Sequence, residues 1–241
     1  MYERPLHRTI ARILPAFNAS ALRAWECYFA GGTRIALELS EFRQSRDIDF
    51  LCSAAEGYAN MRLAVREQGY AALFDGAEAS GMAFPREIRS DQYGIRFPVV
   101  VGNTRVKVEL VREARFELSS PVEPGWSPVS CISHVDCFTS KLLANSDRWA
   151  DRDSLSRDLL DLAALRLAHG PVPEGAWQAS ELAYKRAIVE DLTRAASLFE
   201  GDARHRTRCF EGLEMSSDRH AEFREAVRLL AGEAAARSRS S

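Results

Sequence analysis

At 241 residues with 46% hydrophobic content, the chain can bury a sizeable core as one large domain or two small ones. Its 32 Lys and Arg nearly balance 34 Asp and Glu, giving a net charge of −2, so no global pull toward polyanions exists and any nucleic-acid site must be local. The N-terminal MYERPLHRTIAR lacks the apolar core of a signal peptide and the apolar runs are short, which predicts a cytoplasmic protein without membrane association.

In chain order, Ile10, Ile13, Leu14, Phe17 and Leu22 fall at helical spacing, so one or two helices cover residues 5–26. A strand at Tyr28 to Ala30 stops at Gly31-Gly32, and Thr33 to Phe42 reads as a helix. RDIDFLC is a second strand, Met61 to Gln68 a short helix, and GIRFPVVVGNTRVKVELVRE two strands joined at Gly102-Asn103, a pair suited to a tight hairpin turn. After SSPVEPGWSP the strand signal disappears. His134 to Asn145, Ser156 to His169, Trp177 to Glu200 and Ser217 to Ala236 read as helices, and ARSRSS as a frayed tail. The expected fold class is α+β: a small mixed sheet in the first half and an all-helical second half, with a boundary near residues 119–130. The five cysteines (Cys27, Cys52, Cys131, Cys137, Cys209) are odd in number, scattered and free of C-x-x-C spacing, and read as reduced apolar residues.

Side chains alternate along a strand, so Asp47 and Asp49 share one face while Ile48 and Phe50 point into the core. Acid-x-acid triplets alone carry little weight, since roughly five are expected by chance in such a composition. The hydrophobic strand setting is the informative part. Glu109 is a third acid, alternating with Val108 and Leu110 on the later strand. Were that strand to neighbour the Asp47 strand, three carboxylates would converge, each pair some 5 Å apart repelling by about 3 kcal/mol at an effective dielectric of 20. Such a cluster calls for Mg²⁺ or Mn²⁺, which suit oxygen-only ligands. The plainer alternative is acids facing solvent on an ordinary sheet. Gly31-Gly32 between a strand and a helix would let backbone amides and the helix N-terminus meet a phosphate.

GGT followed by DIDF and a separate strand acid resembles the nucleotidyltransferase core shared with DNA polymerase β. More narrowly, GGTRIALELSEFRQSRDIDF with KLLANSDR and SRDLLDL resembles the AbiEii/AbiGii toxin family, nucleotidyltransferase toxins of toxin-antitoxin and phage-defence modules that include the MenT toxins. The resemblance spans about residues 28–165. It implies a polymerase β-like core with N-terminal helices over residues 1–120 and a helical domain over 121–241. It further implies NTP as substrate, a divalent metal, transfer of an NMP to a hydroxyl acceptor such as the 3′ end of tRNA, and a cognate antitoxin. By the same resemblance Gly31, Gly32 and Thr33 would bind the nucleotide phosphates and Asp47 and Asp49 the metal ions. Arg43, Ser45, Asp47 and Asp49 meet the family's Arg-x-Ser-x-Asp-x-Asp pattern, placing Ser45 and Arg46 near the triphosphate. Glu109 takes the third-acid position, Lys141 would touch the triphosphate, and Asp158 would be a polar active-site residue, with Asp161 open as an alternative.

From the residues alone, Lys141 on an otherwise apolar helix can equally be snorkelling, and Asp158 and Asp161 beside Arg157 can be surface ion-pair formers. DRWADRDSLSRD reads as a solvated mixed-charge run, though Arg148, Arg152 and Arg157 could line an RNA path. His134 and His169 are read as a helix-start and a helix-end residue without a role. Transfer to a protein or small molecule, or a non-catalytic protein-binding module whose acids are structural, are the competing readings.

Overall fold

The computed structural model describes residues 2–76 and 81–240. The chain divides into two compact units, Met1–Glu38 with Ser45–Ser133, and Leu39–Gln44 with His134–Ser241.

The first unit opens with α1 (Pro5–Ile13) and α2 (Ala19–Ala24), the latter capped by the Asn18 side chain, which accepts from the Ala21 amide at 2.9 Å. Then follow β1 (Cys27–Ala30), α3 (Gly31–Glu38), β2 (Asp47–Cys52), α4 (Ala55–Gln68), the two-residue strands β3 (Met82–Ala83) and β4 (Arg89–Ser90), β5 (Gly94–Val101) and β6 (Thr104–Arg112). The expected hairpin at Gly102-Asn103 is present, pairing Val101 with Thr104 and running back to Gly94 opposite Val111. The strands form one mixed sheet in the order β1-β2-β6-β5-β3, with β4 also on β5. β2 and β6 are parallel, the other pairs antiparallel. One face of the sheet is the core: Ile48, Phe50, Ile95, Phe97, Val99, Val106, Val108 and Leu110 are buried, packed with Ile10, Ile13, Phe17 and Met61 from the helices. Helix α4 starts six residues before the expected Met61 because Gly57, which reads as a breaker, lies where the helix presses on the Trp25 backbone. A Cβ there would come within 2.8 Å of the Trp25 carbonyl carbon.

The helical unit contains α5 (His134–Arg148), α6 (Arg157–His169), α7 (Glu174–Tyr184), α8 (Ala187–Gly201), α9 (Ala203–Gly212) and α10 (His220–Ser240). Helix α5 packs on α6, α7 and α8, and α10 on α6 and α8. The single helix expected over Trp177 to Glu200 is two, broken where Lys185 takes a φ of +57°. Helix α9 escaped the sequence reading because it is highly charged; the Asp202 side chain starts it by accepting from the His205 amide at 2.9 Å. The last helix continues through the segment expected to fray, with Arg237 held by Glu174 at 2.7 Å and Glu181 at 3.0 Å. The segment Leu39–Gln44 belongs here too. Its turn uses positive φ at Ser40 and Glu41, Phe42 stacks on Phe223 with ring centroids 5.4 Å apart, and the Gln44 amide donates to the Leu213 carbonyl at 2.8 Å. No helix among the described residues is long and apolar enough to cross a membrane.

Candidate active site

In the first unit, strand alternation puts Asp47 and Asp49 half-buried on the face of β2 opposite the core, between buried Ile48 and Phe50. The parallel register then sets Asp49 beside Glu109 and Asp47 beside Lys107. The three acids therefore share one sheet face, but their carboxylates do not all gather within ligand distance of one another. Glu109 does not stand there uncompensated: Arg96 Nε donates to Oε1 at 3.0 Å and Lys107 Nζ lies 2.5 Å from Oε2. Arg96 is itself anchored to Asp91 at 3.1 Å, and Asp91 accepts from the Tyr93 and Gly94 amides that shape the preceding turn. The Tyr93 amide first, with the Gly94 amide and Arg96, holds the Asp91 carboxyl below its ordinary value against the opposing effect of desolvation.

Gly31 opens α3 at a φ of +74°, and an added Cβ would sit 2.7 Å from the Asp49 Cβ. Only glycine satisfies both the backbone and the closeness of that carboxylate. Gly32 and Thr33 are buried behind it. The Thr33 hydroxyl bonds to Ser45 Oγ at 2.8 Å and to the Asp47 carbonyl oxygen, and the Ser45 amide donates to His7 Nε2 at 3.0 Å. Thr33 and Ser45 thus pin the start of α3 to the start of β2, while Arg46 is exposed. Arg34, directly after the glycine turn, is fully buried with Nη1 2.7 Å from Glu38 Oε2.

The other two site residues lie in the helical unit, within a buried ion network. Lys141 Nζ bridges Asp158 Oδ1 at 3.0 Å and Asp161 Oδ2 at 2.7 Å. Asp161 is clamped by Arg43 through Nε at 2.6 Å and Nη2 at 2.8 Å, and Asp158 by Arg148 at 2.6 and 2.9 Å. Lys141, Asp158 and Asp161 are 6%, 3% and 0% exposed, so neither snorkelling nor surface pairing describes them. Burial by itself would push the Lys141 ammonium down, but the charges of Asp161 and Asp158 outweigh it and raise it. Burial would likewise lift Asp158, yet Lys141 and Arg148 hold that carboxyl well below the usual range. Two of the three ammonium N–H donors of Lys141 are taken by these carboxylates. Arg148 pairs with Asp158 and Arg152 with Asp202.

Gly31, Gly32, Thr33, Ser45, Asp47, Asp49 and Glu109 are therefore gathered in the sheet unit, and Lys141 and Asp158 in the helical unit. Arg96 was missed in the sequence, although a two-residue turn after Val101 fixes every cross-strand pair, Arg96 with Glu109 among them. Arg43 was legible only as a motif position; its partner is 118 residues away.

Residues 12–236 match the family described as nucleotidyl transferase AbiEii toxin, type IV TA system. In fold the chain is similar to the crystal structure of JHP933 from Helicobacter pylori, with a TM-score of 0.56 and 14% identity over 98% of this chain and 94% of that one. A further H. pylori structure, described as a nucleotidyltransferase, aligns with a TM-score of 0.55 and 13% identity over 95% of this chain and 94% of its own. No curated protein matches the chain.

Proposed function

The chain belongs to the AbiEii nucleotidyl transferase toxin family, and from that premise we propose that it moves an NMP from an NTP to an RNA hydroxyl, the 3′ end of tRNA, in a divalent-metal-dependent reaction in the cytoplasm. It acts as the toxin of a type IV toxin-antitoxin module and is countered by a cognate antitoxin. The observation that carries the reading is the register Asp49 beside Glu109, with Gly31 stripped of a Cβ against the Asp49 carboxylate. Oxygen-only side chains on one sheet face suit a hard cation, and Asp47, Asp49 and Glu109 are the residues that would hold it, Glu109 on releasing Lys107. When bound, Mg²⁺ or Mn²⁺ supplies polarisation of the phosphate and neutralisation of the charge that develops on the pyrophosphate.

The protein's own groups do the rest. Gly31 and Gly32 let main-chain N–H groups at the start of α3 approach the phosphates, where the helix dipole also favours negative charge. Thr33, through Ser45 and the Asp47 carbonyl, keeps that turn in register with β2. Ser45 and Arg46 flank the triphosphate. By the family likeness Lys141 would touch the triphosphate, and within the helical unit Asp158 and Asp161 keep it charged and oriented. Glu109 Oε2, whose partner Lys107 is the more exposed of its two cations, completes the metal set or takes the acceptor hydroxyl's proton.

Incubation of the protein with Mg²⁺, total RNA, a protein extract and each labelled NTP in turn tests this. Label is expected in RNA and absent with Asp49→Ala; no label in RNA, protein or small molecules with any NTP would refute nucleotidyl transfer. Expression is expected to arrest growth and Asp47→Ala to relieve the arrest. Harmless expression of the wild type would remove the toxin role while sparing the chemistry.

A further inference from the structure

Charge changes sign across the open face of the sheet. Paired residues share a face, so the register lines up Asp49 on β2, Glu109 on β6, Arg96 on β5 and Arg89 on β4 as one row across four strands, about 15 Å long at the usual strand spacing. The next row holds Asp47, Lys107 and Pro98, and the one beyond it Arg105 and Val100. Two acids of the site thus border a flank with four cations, Arg89, Arg96, Arg105 and Lys107. In a chain of net charge −2 this is a local concentration.

Three features separate this flank from an ordinary solvated surface. Cations that protect a sheet from edge pairing belong on outermost strands, whereas Lys107 is flanked by Asp47 and Pro98 and Arg96 by Glu109 and Arg89, each paired on both sides. Arg89 and Arg105 are exposed, with no side-chain partner among the described residues. Lys107 has a side chain 53% exposed, and an ion pair that accessible to solvent exchanges its anion cheaply.

We propose that this flank is the track on which the phosphate backbone of the single-stranded RNA acceptor lies, its terminal hydroxyl directed to Asp49 and Glu109. The proposal rests on RNA being the acceptor. Phosphates would take the free guanidiniums of Arg89 and Arg105 outright and draw Lys107 from Glu109 as the acids take their metal, so loading the acids and binding the strand support each other.

Anisotropy of a labelled single-stranded oligoribonucleotide on the full-length protein, titrated at several salt concentrations, tests it. Both arginines are exposed, so the double variant Arg89→Glu/Arg105→Glu is expected to fold and to bind about tenfold or more weakly at low salt. Losing two phosphate contacts should also flatten the plot of log affinity against log salt by about 1.4. Arg89→Gln/Arg105→Gln should fall between it and the wild type. Unchanged affinity and slope would overturn the track. So would a wild type that transfers NMP to a protein or small molecule and binds no RNA, leaving the chemistry intact. RNA binding that the variants lose, in a protein that never transfers a nucleotide, would keep the track and refute the transfer. Loss of antitoxin binding alone would overturn the track and give the flank to an acidic protein.

Discussion

The acids of the sheet unit, Asp47, Asp49 and Glu109, and those of the helical unit, Asp158 and Asp161, are held on opposite plans. Asp158 and Asp161 are 3% and 0% exposed and are enclosed by Arg43, Lys141 and Arg148 through short, partly bidentate contacts. Asp47, Asp49 and Glu109 are half-buried on an open sheet face, and Glu109 meets cations that are themselves 34% and 53% exposed. A buried carboxylate has been desolvated and depends on its partners, so losing one partner leaves a costly uncompensated charge. A carboxylate that stays partly exposed keeps part of its hydration, and a partner as exposed as Lys107 is exchangeable. The helical cluster is thus suited to fix a geometry, and the sheet cluster to bind and release something.

Substitutions can break this contrast. The largest effect expected is Asp49→Ala on activity: a loss of NMP transfer of about 10³-fold or more, with the urea midpoint unchanged or raised because one of three neighbouring acids is gone. A marked fall in stability would mean Asp49 is structural. Next comes Asp161→Asn, which strands Arg43 and part of Lys141 and should cost about 3 kcal/mol in urea unfolding followed by helical signal. A cost below about 1 kcal/mol would show that water reaches the network. Gly31→Ala combines a positive φ with a clash against Asp49 and should cost about 2 kcal/mol while abolishing transfer, an effect that neither Gly69→Ala nor Gly76→Ala, with open space around them, should have on transfer.

The smallest effect is on pH dependence. The Asp158 carboxyl lies below its unfolded value, so its contribution is fully present above about pH 4 and disappears as pH falls toward the folded value. Stability of the helical unit should therefore begin to drop as pH falls through about 4 and keep dropping below about pH 3, and Asp158→Asn should flatten that slope while lowering stability at neutral pH. An equally steep acid slope in the variant would place the titration elsewhere.

The sheet cluster was legible because its determinants are local. Period-two alternation fixes the face of Asp47 and Asp49, and a two-residue turn fixes the β5–β6 register. The parallel pairing of β2 with β6 was only a condition in the sequence, since nothing in either strand names its neighbour. The helical cluster was half legible. KLLANSDR and SRDLLDL point to Lys141 and Asp158, but their burial depends on Arg43, which sits far away in the sequence. The α7–α8 break was invisible because Lys185 adopts a backbone angle for which a sequence reader expects glycine.

The excursion of Leu39–Gln44 also means that the helical unit is not a segment of the gene. A fragment beginning at His134 would leave Phe223 without Phe42, the Leu213 carbonyl without its donor, and Asp161 buried without Arg43. Its residues 134–241 can be cut out of the chain, but they carry an unmet debt of six residues encoded some ninety codons upstream, between the glycine turn and the DID strand. Insertions, truncations or recombination that treat the two halves as exchangeable modules would therefore have to move that short stretch with the half it does not adjoin.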